Sequence, residues 1–270
     1  MNHLHRELAP IGERAWDEIT EEAGRSLRHF LTARKLVEFD GPHGWDRDAL
    51  GLGRVTHEPL ESDVEGVEPR VRLVQPLTEL RTPFTLSRDE IDAAERGAPD
   101  ADWDPVIDAA RRAALAEDHL VFRGSAAAGV RGIVQTSPHE PIIIGHDYDD
   151  YPKHVALAIE RLKRAGVSGP YAIALGPRCY TGVIESTQHG GYPVLSHLRL
   201  IAEGPVLWAP AVEGAIVMSQ RGGDFELVVG QDLSIGYLDH DATSVRLYLE
   251  ESLTFRAAGP EAAIALRYED

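Results

Sequence analysis

The chain has 270 residues, of which 27 are lysine or arginine and 44 are aspartate or glutamate, giving a formal net charge of −17 at pH 7 with histidine neutral. This charge excludes a protein that binds nucleic acid through an overall basic surface. Hydrophobic residues make up 43% of the chain and charged residues 26%, a composition typical of a folded domain rather than a disordered one. The one cysteine, Cys179, excludes an internal disulfide.

The sequence also lacks the features of a membrane-spanning or secreted protein. No stretch reaches the roughly 18 uninterrupted apolar residues of a membrane span. The first ten residues carry Glu7 and several histidines, whereas a secretory signal has a basic start followed by an apolar run. We therefore expect a soluble cytoplasmic protein without a membrane partner.

Hydrophobic periodicity predicts three long helices and a short one. Apolar residues recur every three or four positions over residues 16–31, which is typical of an amphipathic helix. A second, alanine-rich helix over residues 104–124 has an aspartate as its cap and Pro105 in its first turn. A third covers residues 150–166, and the short helix follows Pro193.

Extended segments dominate the rest of the chain. Residues 53–86 alternate between apolar and polar side chains around a charged stretch at 61–68, which predicts a long two-stranded arm. Further strands are predicted at residues 171–175, 206–208, 215–218, 225–229, 245–249, 253–257 and 263–268. Because helices and strands mix without regular alternation, the predicted fold class is α+β. We do not expect a monomer to bury the apolar faces of the arm and the first helix, so assembly is predicted.

No segment of the sequence predicts an active site. Residues 221–224, Arg-Gly-Gly-Asp, lack the following helix of a phosphate-binding loop and are interpreted as a turn between strands. The acidic turn at Asp147, Asp149 and Asp150 has oxygen ligands for a divalent cation, but we interpret it as a solvated turn that caps a helix. Cys179 has no catalytic partner nearby in sequence and is interpreted as a buried side chain. We expect neither a metal nor enzymatic activity.

Several stretches resemble encapsulin shell proteins, and together they span essentially the whole chain. The most specific is Gly-Gln-Asp-Leu-Ser-Ile-Gly-Tyr at residues 230–237. The others lie at residues 6–11, 33–37, 41–45, 79–86, 116–118, 129–133 and 221–227. The resemblance implies the tailed-phage major capsid fold, in which about 60 or more copies close into a hollow icosahedral shell around a cargo enzyme.

The resemblance also implies a division of the chain into four parts. Residues 1–46 would form an N-terminal helical arm, and residues 47–86 an extended loop that reaches across a neighbouring subunit. Residues 134–220 would form an axial domain around the symmetry axes. The peripheral domain would combine residues 87–133 with residues 221–270.

In this family, a short C-terminal peptide of the cargo docks in an apolar groove between the N-terminal helix and the peripheral domain. On this sequence, the resemblance implies that the groove is lined by Ile19, Ala23, Leu27, Arg34, Val37, Asp232, Leu233, Ile235 and Tyr237. Such a groove can bury aliphatic anchors while its charges orient the peptide. The alternative is that Leu233, Ile235 and Tyr237 are core residues. The implied cargo is an enzyme such as a ferritin-like protein or a dye-decolorising peroxidase.

A fivefold pore is the second site that the resemblance implies. Its loop consists of Glu185, Ser186, Thr187, Gln188, His189, Gly190, Gly191 and Tyr192, with one more glycine than in some members. We expect His189 near the opening, where a ring of imidazoles would change charge at about pH 6.5. An acidic shell should favour the entry of cations. Some members bind flavin through an aromatic residue in the segment that corresponds to 87–92, which lacks one here, so no cofactor is expected.

Two other functions stay open on the sequence alone. A phage or prophage major capsid protein would share the fold and package DNA. Some phage relatives cross-link subunits through a lysine in the extended loop, but no lysine lies between Leu36 and Pro152, and we expect no nucleic-acid partner. An enzyme such as a protease or a bacteriocin-like factor is the third hypothesis, since preparations of shells can carry their cargo's activity.

Overall fold

The computed structural model describes residues 3–58, 60–188 and 191–269, in which helices and strands are mixed, so the predicted α+β class is confirmed. The α-helices are α1 (Glu13–Phe30), α2 (Arg88–Arg96), α3 (Asp104–Phe122), α4 (Ile133–Thr136), α5 (Tyr151–Arg164), α6 (Pro177–Glu185) and α7 (Val194–Ala202). The strands are β1 (Glu38–Asp40), β2 (Ala49–Val55), β3 (Arg72–Pro76), β4 (Thr78–Ser87), β5 (Gly124–Ser125), β6 (Val130–Arg131), β7 (Ile142–Ile144), β8 (Tyr171–Leu175), β9 (Thr187–Gln188), β10 (Tyr192–Pro193), β11 (Glu203–Trp208), β12 (Ala215–Ser219), β13 (Phe225–Val229), β14 (Ser234–His240), β15 (Ser244–Ala257) and β16 (Ala263–Tyr268).

The first sheet is built around the long strand β15. Its strand order is β1, β13, β15, β14, and β4 pairs with β15 as well. β4 runs antiparallel to β15 over its 10 residues, from Thr78 opposite Leu253 to Ser87 opposite Ser244. β14 pairs with the same part of β15, so it lies on the opposite edge. β14 is therefore an edge strand of this sheet.

Helices α1 and α3 pack together against the first sheet. The apolar face of α1 meets alanines of α3, including Ala110 and Ala113, in a core that also contains residues of β4, β14 and β15. Small side chains on α3 allow the two helices to approach closely. Ile19 of α1 is 0% exposed, so the expectation that a monomer cannot bury the apolar face of this helix was wrong.

The second sheet has the strand order β11, β8, β12, β16, β7. Every residue of β8 and β12 is buried, which is typical of strands covered on both faces. Helices α5, α6 and α7 pack on this sheet and form the larger core with it.

The arm consists of residues 49–76, in which β2 and β3 pair antiparallel. Its apolar side chains are largely exposed, namely Val55, Leu60, Val64, Val67, Val71 and Val74. The predicted arm ran to residue 86, but residues 78–87 form β4 in the first sheet instead. Alternation of apolar and polar residues is the same for both kinds of strand, so the sequence pattern did not separate them.

Most of the predicted elements are confirmed, with four differences. The helices over 104–124 and 150–166 and after Pro193 are α3, α5 and α7. Helices α2 and α6 and strand β14 were not predicted, and the two strands predicted over 245–257 are the single strand β15. Asp104 is the first residue of α3 rather than its cap. The Arg-Gly-Gly-Asp turn lies between β12 and β13, where Gly222 and Gly223 have positive φ angles of 87° and 79°.

Candidate functional site

The residues predicted to line the groove divide into two groups by their burial. Helix α1 contributes Ile19, Ala23 and Leu27, which are 0%, 3% and 9% exposed, and β14 contributes Ile235, which is 4% exposed. These four side chains pack together in one core. They present little surface, so the core alternative describes Ile235 correctly and applies to the three α1 residues as well.

The other apolar residues of the predicted groove are half-buried. Leu233 and Tyr237 lie at the edge of the core formed by α1 and β14. The phenol oxygen of Tyr237 lies 2.5 Å from Nδ1 of His240. Val37 packs against the other core, that of the second sheet. Leu233 and Tyr237 therefore lie beside the core that contains residues of α1 and β14, but Val37 does not join them.

Arg34 bonds to Asp232, the residue before Leu233, and so supplies a charge at this end of the predicted groove. Its Nε lies 2.9 and 2.8 Å from the carboxylate oxygens of Glu117, its Nη1 lies 2.7 Å from Oδ1 of Asp232, and its Nη2 lies 3.1 Å from Oε2 of Glu251. The planar guanidinium can make several such bonds at once. Arg34 therefore ties the turn after α1 to α3, to β15 and, through Asp232, to the segment just before β14.

Burial and neighbouring charges shift the pKa values of Arg34 and Glu251. Burial disfavours the guanidinium cation, but the hydrogen bond and charge of Glu117, together with Glu251 and Asp232, outweigh burial and raise the pKa of Arg34. Burial and the nearby Glu117 raise the pKa of Glu251 well above its usual range.

Asp118 of helix α3 fixes the backbone turn that follows α1. Its Oδ1 accepts a hydrogen bond from the amide of Ala33 at 2.9 Å, and its Oδ2 accepts one from the amide of Thr32 at 3.0 Å. Burial raises the pKa of Asp118 to about 7, although the two backbone bonds oppose the shift. The hydroxyl of Thr32 donates to the carbonyl of Trp208 at 2.9 Å, so this turn is held from two sides.

Sequence reasoning noted residues 116–118 only as part of the family resemblance. A physical signal was present, because Glu117 and Asp118 lie among the buried apolar residues of α3. Charged residues in such positions are seldom buried unless they are paired. That signal could have identified a buried polar network, but not its partners, which come from residues 32–34, 232 and 251.

Residues 3–8 form an N-terminal segment that lies between α1 and β14. The amide of Tyr237 donates a hydrogen bond to the carbonyl of Leu4 at 2.8 Å. The guanidinium of Arg6 lies 4.1 Å from the ring centroid of Trp16 on α1. The segment is too short to have a periodic pattern, so its position could not be predicted from the sequence.

The predicted pore loop is a β-hairpin between α6 and α7. Strand β9 pairs antiparallel with β10, and the amide of Val194 donates to the carbonyl of Ser186 at 3.2 Å. Tyr192 is 50% exposed, and Gly191 has a φ of 81°, which favours glycine. Two of the predicted loop residues, His189 and Gly190, lie outside the described residues.

Cys179 is buried in α6 beside two tyrosines. Its Sγ lies 2.9 Å from the phenol oxygen of Tyr151 and 3.1 Å from that of Tyr268. Burial raises the pKa of the Cys179 thiol, which disfavours the reactive thiolate. The interpretation of Cys179 as a buried structural residue is confirmed.

The Asp147 carboxylate accepts a bond from the amide of Asp149 at 3.1 Å and caps the short turn before α5.

The described residues contain neither a membrane-spanning helix nor a cluster of metal ligands. Over 3–58, 60–188 and 191–269, no helix is both long and apolar enough to cross a membrane. Within the same part of the chain, no group of His, Cys, Asp or Glu side chains is arranged to hold a metal ion.

Solved structures to which this chain is similar include capsid and particle shells. The virus-like particle protein from Pyrococcus furiosus aligns with a TM-score of 0.67 and 17% identity, covering 93% of this chain and 99% of that chain. The capsid of Myoviridae phage XM1 aligns with a TM-score of 0.52 and 10% identity, covering 84% of this chain and 88% of that chain. The chain therefore has the tailed-phage major capsid fold, as predicted.

The sequence narrows this class to one family. Residues 1–254 match the family described as "Encapsulating protein for peroxidase". The chain is 53% identical to the type 1 encapsulin shell protein of Rhodospirillum rubrum, over 99% of this chain and 97% of that protein. It is 46% identical to the type 1 encapsulin shell protein of Rhodococcus erythropolis, over 98% of this chain and all of that protein. The chain belongs to the encapsulin shell protein family.

Family membership confirms the predictions of identity, fold and general function. The chain is a self-assembling shell protein that forms a homo-oligomeric, capsid-like shell. It is a structural protein and not an enzyme, because its relatives are named as shell proteins. The likeness to phage capsids remains one of fold.

Proposed function

We propose that about 60 or more copies of this chain close into an icosahedral nanocompartment in the bacterial cytoplasm, which encloses a cargo enzyme. The C-terminal peptide of the cargo binds on the inner wall, and small molecules or ions enter through pores. A dye-decolorising peroxidase or a ferritin-like protein is the proposed cargo, which would give the shell a role in oxidative stress or iron storage. The family description, which names a peroxidase, supports the first of these.

The observation that carries this proposal is the position of Leu233 and Tyr237, at the edge of the core that contains residues of α1 and β14. Leu233 and Tyr237 are half-buried there beside a rigid core. Half-buried apolar side chains against a fixed core offer new burial to a partner without a rearrangement of the fold. An extended peptide with aliphatic side chains fits such a surface.

The charged residues Arg34 and Asp232, next to Leu233, would give the bound peptide a direction. Arg34 faces three carboxylates, two of which, Glu117 and Glu251, have side chains that are 0% exposed. The third, Asp232, has a side chain that is 42% exposed. A lysine or arginine of the cargo peptide can pair with Asp232 from the solvent side, so we expect the peptide to carry a basic residue beside its aliphatic anchors.

The other proposed parts of the shell follow the resemblance. Residues 1–46 would be the N-terminal arm and 47–77 the loop that crosses a neighbour, because residues 78–87 form β4 of the first sheet. The axial domain would combine residues 134–220 with β16, because β16 pairs with β12 and β7 of the second sheet and not with the predicted peripheral domain. Residues 78–133 and 221–262 would form the peripheral domain. The exposed apolar side chains of the arm support a role in contacts between copies. Residues 185–192 would line the fivefold pore, with His189 near its opening.

A matched pair of substitutions in β14 and just before it tests the groove. Leu233→Asp places a carboxylate on the proposed binding surface one residue before β14, whereas Leu238→Asp places one within β14, at a position that is 41% exposed. The probe is a fluorescent protein that carries the last 30 or so residues of the protein that co-sediments with native shells. We expect Leu233→Asp to lose most of the captured probe while shells still form, and Leu238→Asp to retain it.

The outcome of this test separates the alternatives. Equal capture by both variants would place the cargo site elsewhere on the shell. Ile235→Asp is unsuited to the test, because Ile235 is a core residue and its loss would disrupt folding. Native particles that contain DNA and no stoichiometric protein would overturn the proposed function in favour of a phage capsid.

A further inference from the structure

The N-terminal segment, residues 3–8, lies on the surface that we propose for the cargo peptide. The backbone of Leu4 accepts a hydrogen bond from the Tyr237 amide on β14, at 2.8 Å. On the other side, Nη2 of Arg6 donates to the hydroxyl of Thr20 on α1 at 3.2 Å. The segment therefore bridges the two elements between which the groove lies.

The bond to Tyr237 uses the outer edge of the first sheet. β14 is an edge strand whose other edge pairs with β15. The outward backbone groups of an edge strand are a template for a further strand. Peptides commonly bind by adding to such an edge, with backbone bonds supplying affinity and side-chain pockets supplying specificity. The carbonyl of Leu4 occupies one of these backbone positions.

The side chains of the segment also resemble those of a bound peptide. Leu4 is 9% exposed, whereas Leu8 of the same segment is 53% exposed. The Arg6 guanidinium lies over the Trp16 ring, and the His3 ring stacks on Trp45 with 4.5 Å between centroids. The segment thus presents one buried aliphatic anchor flanked by two side chains that are held by aromatic rings.

We infer that the N-terminal segment is an internal ligand of the groove, which occupies the β14 edge in an empty shell and is displaced by the cargo peptide. This inference rests on the proposed function of the groove. The displacing peptide is extended, offers a backbone carbonyl to the Tyr237 amide, and buries an aliphatic side chain where Leu4 lies.

Tethering makes the segment an effective competitor. It is joined to α1 through residues 9–12, so its effective concentration at the groove is high. A cargo peptide then binds with an affinity reduced by the fraction of time that the groove is free. Cargo that presents several peptides to one shell gains by avidity what each single peptide loses to this competition.

Two leucines of the segment provide a matched test. Leu4→Ser removes the buried anchor, and Leu8→Ser makes the same change at the exposed position. In empty shells, we expect hydrogen exchange at the Tyr237 amide to be faster in Leu4→Ser and unchanged in Leu8→Ser. At limiting expression of the cargo-tagged fluorescent probe, we expect Leu4→Ser shells to capture up to about tenfold more, if the wild-type groove is free about a tenth of the time.

Arg6→Ser provides a second variant in case Leu4→Ser shells do not assemble. It removes the contacts with Trp16 and Thr20 and should increase capture in the same direction, by a smaller factor. Capture that falls or stays unchanged in these variants, with shells intact, would overturn the inference, because the segment would then be a wall of the groove or irrelevant to it.

A second probe separates this inference from the proposed function. A fluorescent protein tagged with residues 3–10 of this chain should be captured by Leu4→Ser shells and not by wild-type shells, whatever the cargo is. Failure of Leu4→Ser shells to capture this probe would overturn the internal ligand. Capture of this probe together with failure of every cargo tail would overturn the cargo groove and leave the internal ligand standing.

Discussion

Helix α1 and the arm carry the same signal in the sequence and have opposite fates in the structure. Both present apolar residues at regular spacing, and both were expected to need a neighbouring copy. The apolar face of α1 is buried within the chain, as Ile19 shows at 0% exposure. On the arm, Val64 is 62% exposed and Val74 is 57% exposed.

The difference teaches which part of the molecule belongs to the fold and which to the assembly. An apolar face that finds a partner within the chain stabilises the monomer, and its loss unfolds the chain. An apolar face left uncovered contributes to stability only once another surface covers it. Changes in the arm should therefore affect assembly alone, whereas changes around α1 should affect folding.

The largest effect is expected from Val74→Asp on the arm. A carboxylate buried without a partner is costly, and a closed shell repeats that cost at every equivalent contact. We expect the variant to remain folded, with a native circular dichroism spectrum, but to sediment as small species instead of shells.

Val74→Thr is the control, since it keeps the shape of the side chain without adding a charge, and it should still assemble. Shells formed by Val74→Asp at the wild-type level would show that this strand of the arm faces solvent in the assembly. The comparison between the arm and α1 would then fail for that part of the arm.

A smaller effect, on folding instead of assembly, is expected from Arg34→Ala. The change leaves Glu117 buried without its cation, and breaking a buried ion pair in this way typically costs about 3–5 kcal/mol. The free energy of unfolding can be measured by urea denaturation of unassembled chains in the Val74→Asp background.

The matched control is Arg111→Ala on α3, at an arginine side chain that is 53% exposed and pairs with Asp108, whose side chain is 65% exposed. Exposed pairs contribute little, so a change of about 0.5 kcal/mol or less is expected. If Arg34→Ala were as mild as Arg111→Ala, the network around Arg34 would not be needed for folding.

Periodicity in the sequence was sufficient for elements whose burial is decided locally. The alanine-rich pattern of α3 and the uninterrupted apolar run of β8 identify both elements, because the pattern itself records what covers them. Helix α2 escaped prediction because it is short and strongly charged, with Ile91 and Ala94 as its buried residues. β14 escaped prediction because its apolar residues are separated by Ser234 and Gly236, which weaken the strand signal.

The candidate site depended on contacts between distant parts of the chain. The resemblance named residues of α1 and β14 for the groove, but it could not tell which of them are buried. Whether Ile19 faces a peptide or α3 depends on helix packing, which the pattern of α1 alone does not contain. The pairing of Leu4 with Tyr237 joins residues more than two hundred positions apart through one backbone bond, for which no side-chain pattern exists.

The smallest effect is expected from Asp118→Asn and concerns pH. Burial raises the pKa of Asp118 from an ordinary 3.8 to about 7, so between these values the folded chain holds a proton that the unfolded chain releases. Stability then decreases as the pH rises from about 4 to about 7, and it is constant above that range. Asparagine is neutral throughout and its Oδ1 can still accept from Ala33, so the variant should lose this part of the decrease. The measurement is the free energy of unfolding at pH 5 and pH 7.5, in the unassembled background. Burial also raises the pKa of Glu251, so we expect the decrease in stability with pH to become smaller in the variant but not to disappear. A decrease equal to that of the parent chain would show that Asp118 is ionised throughout.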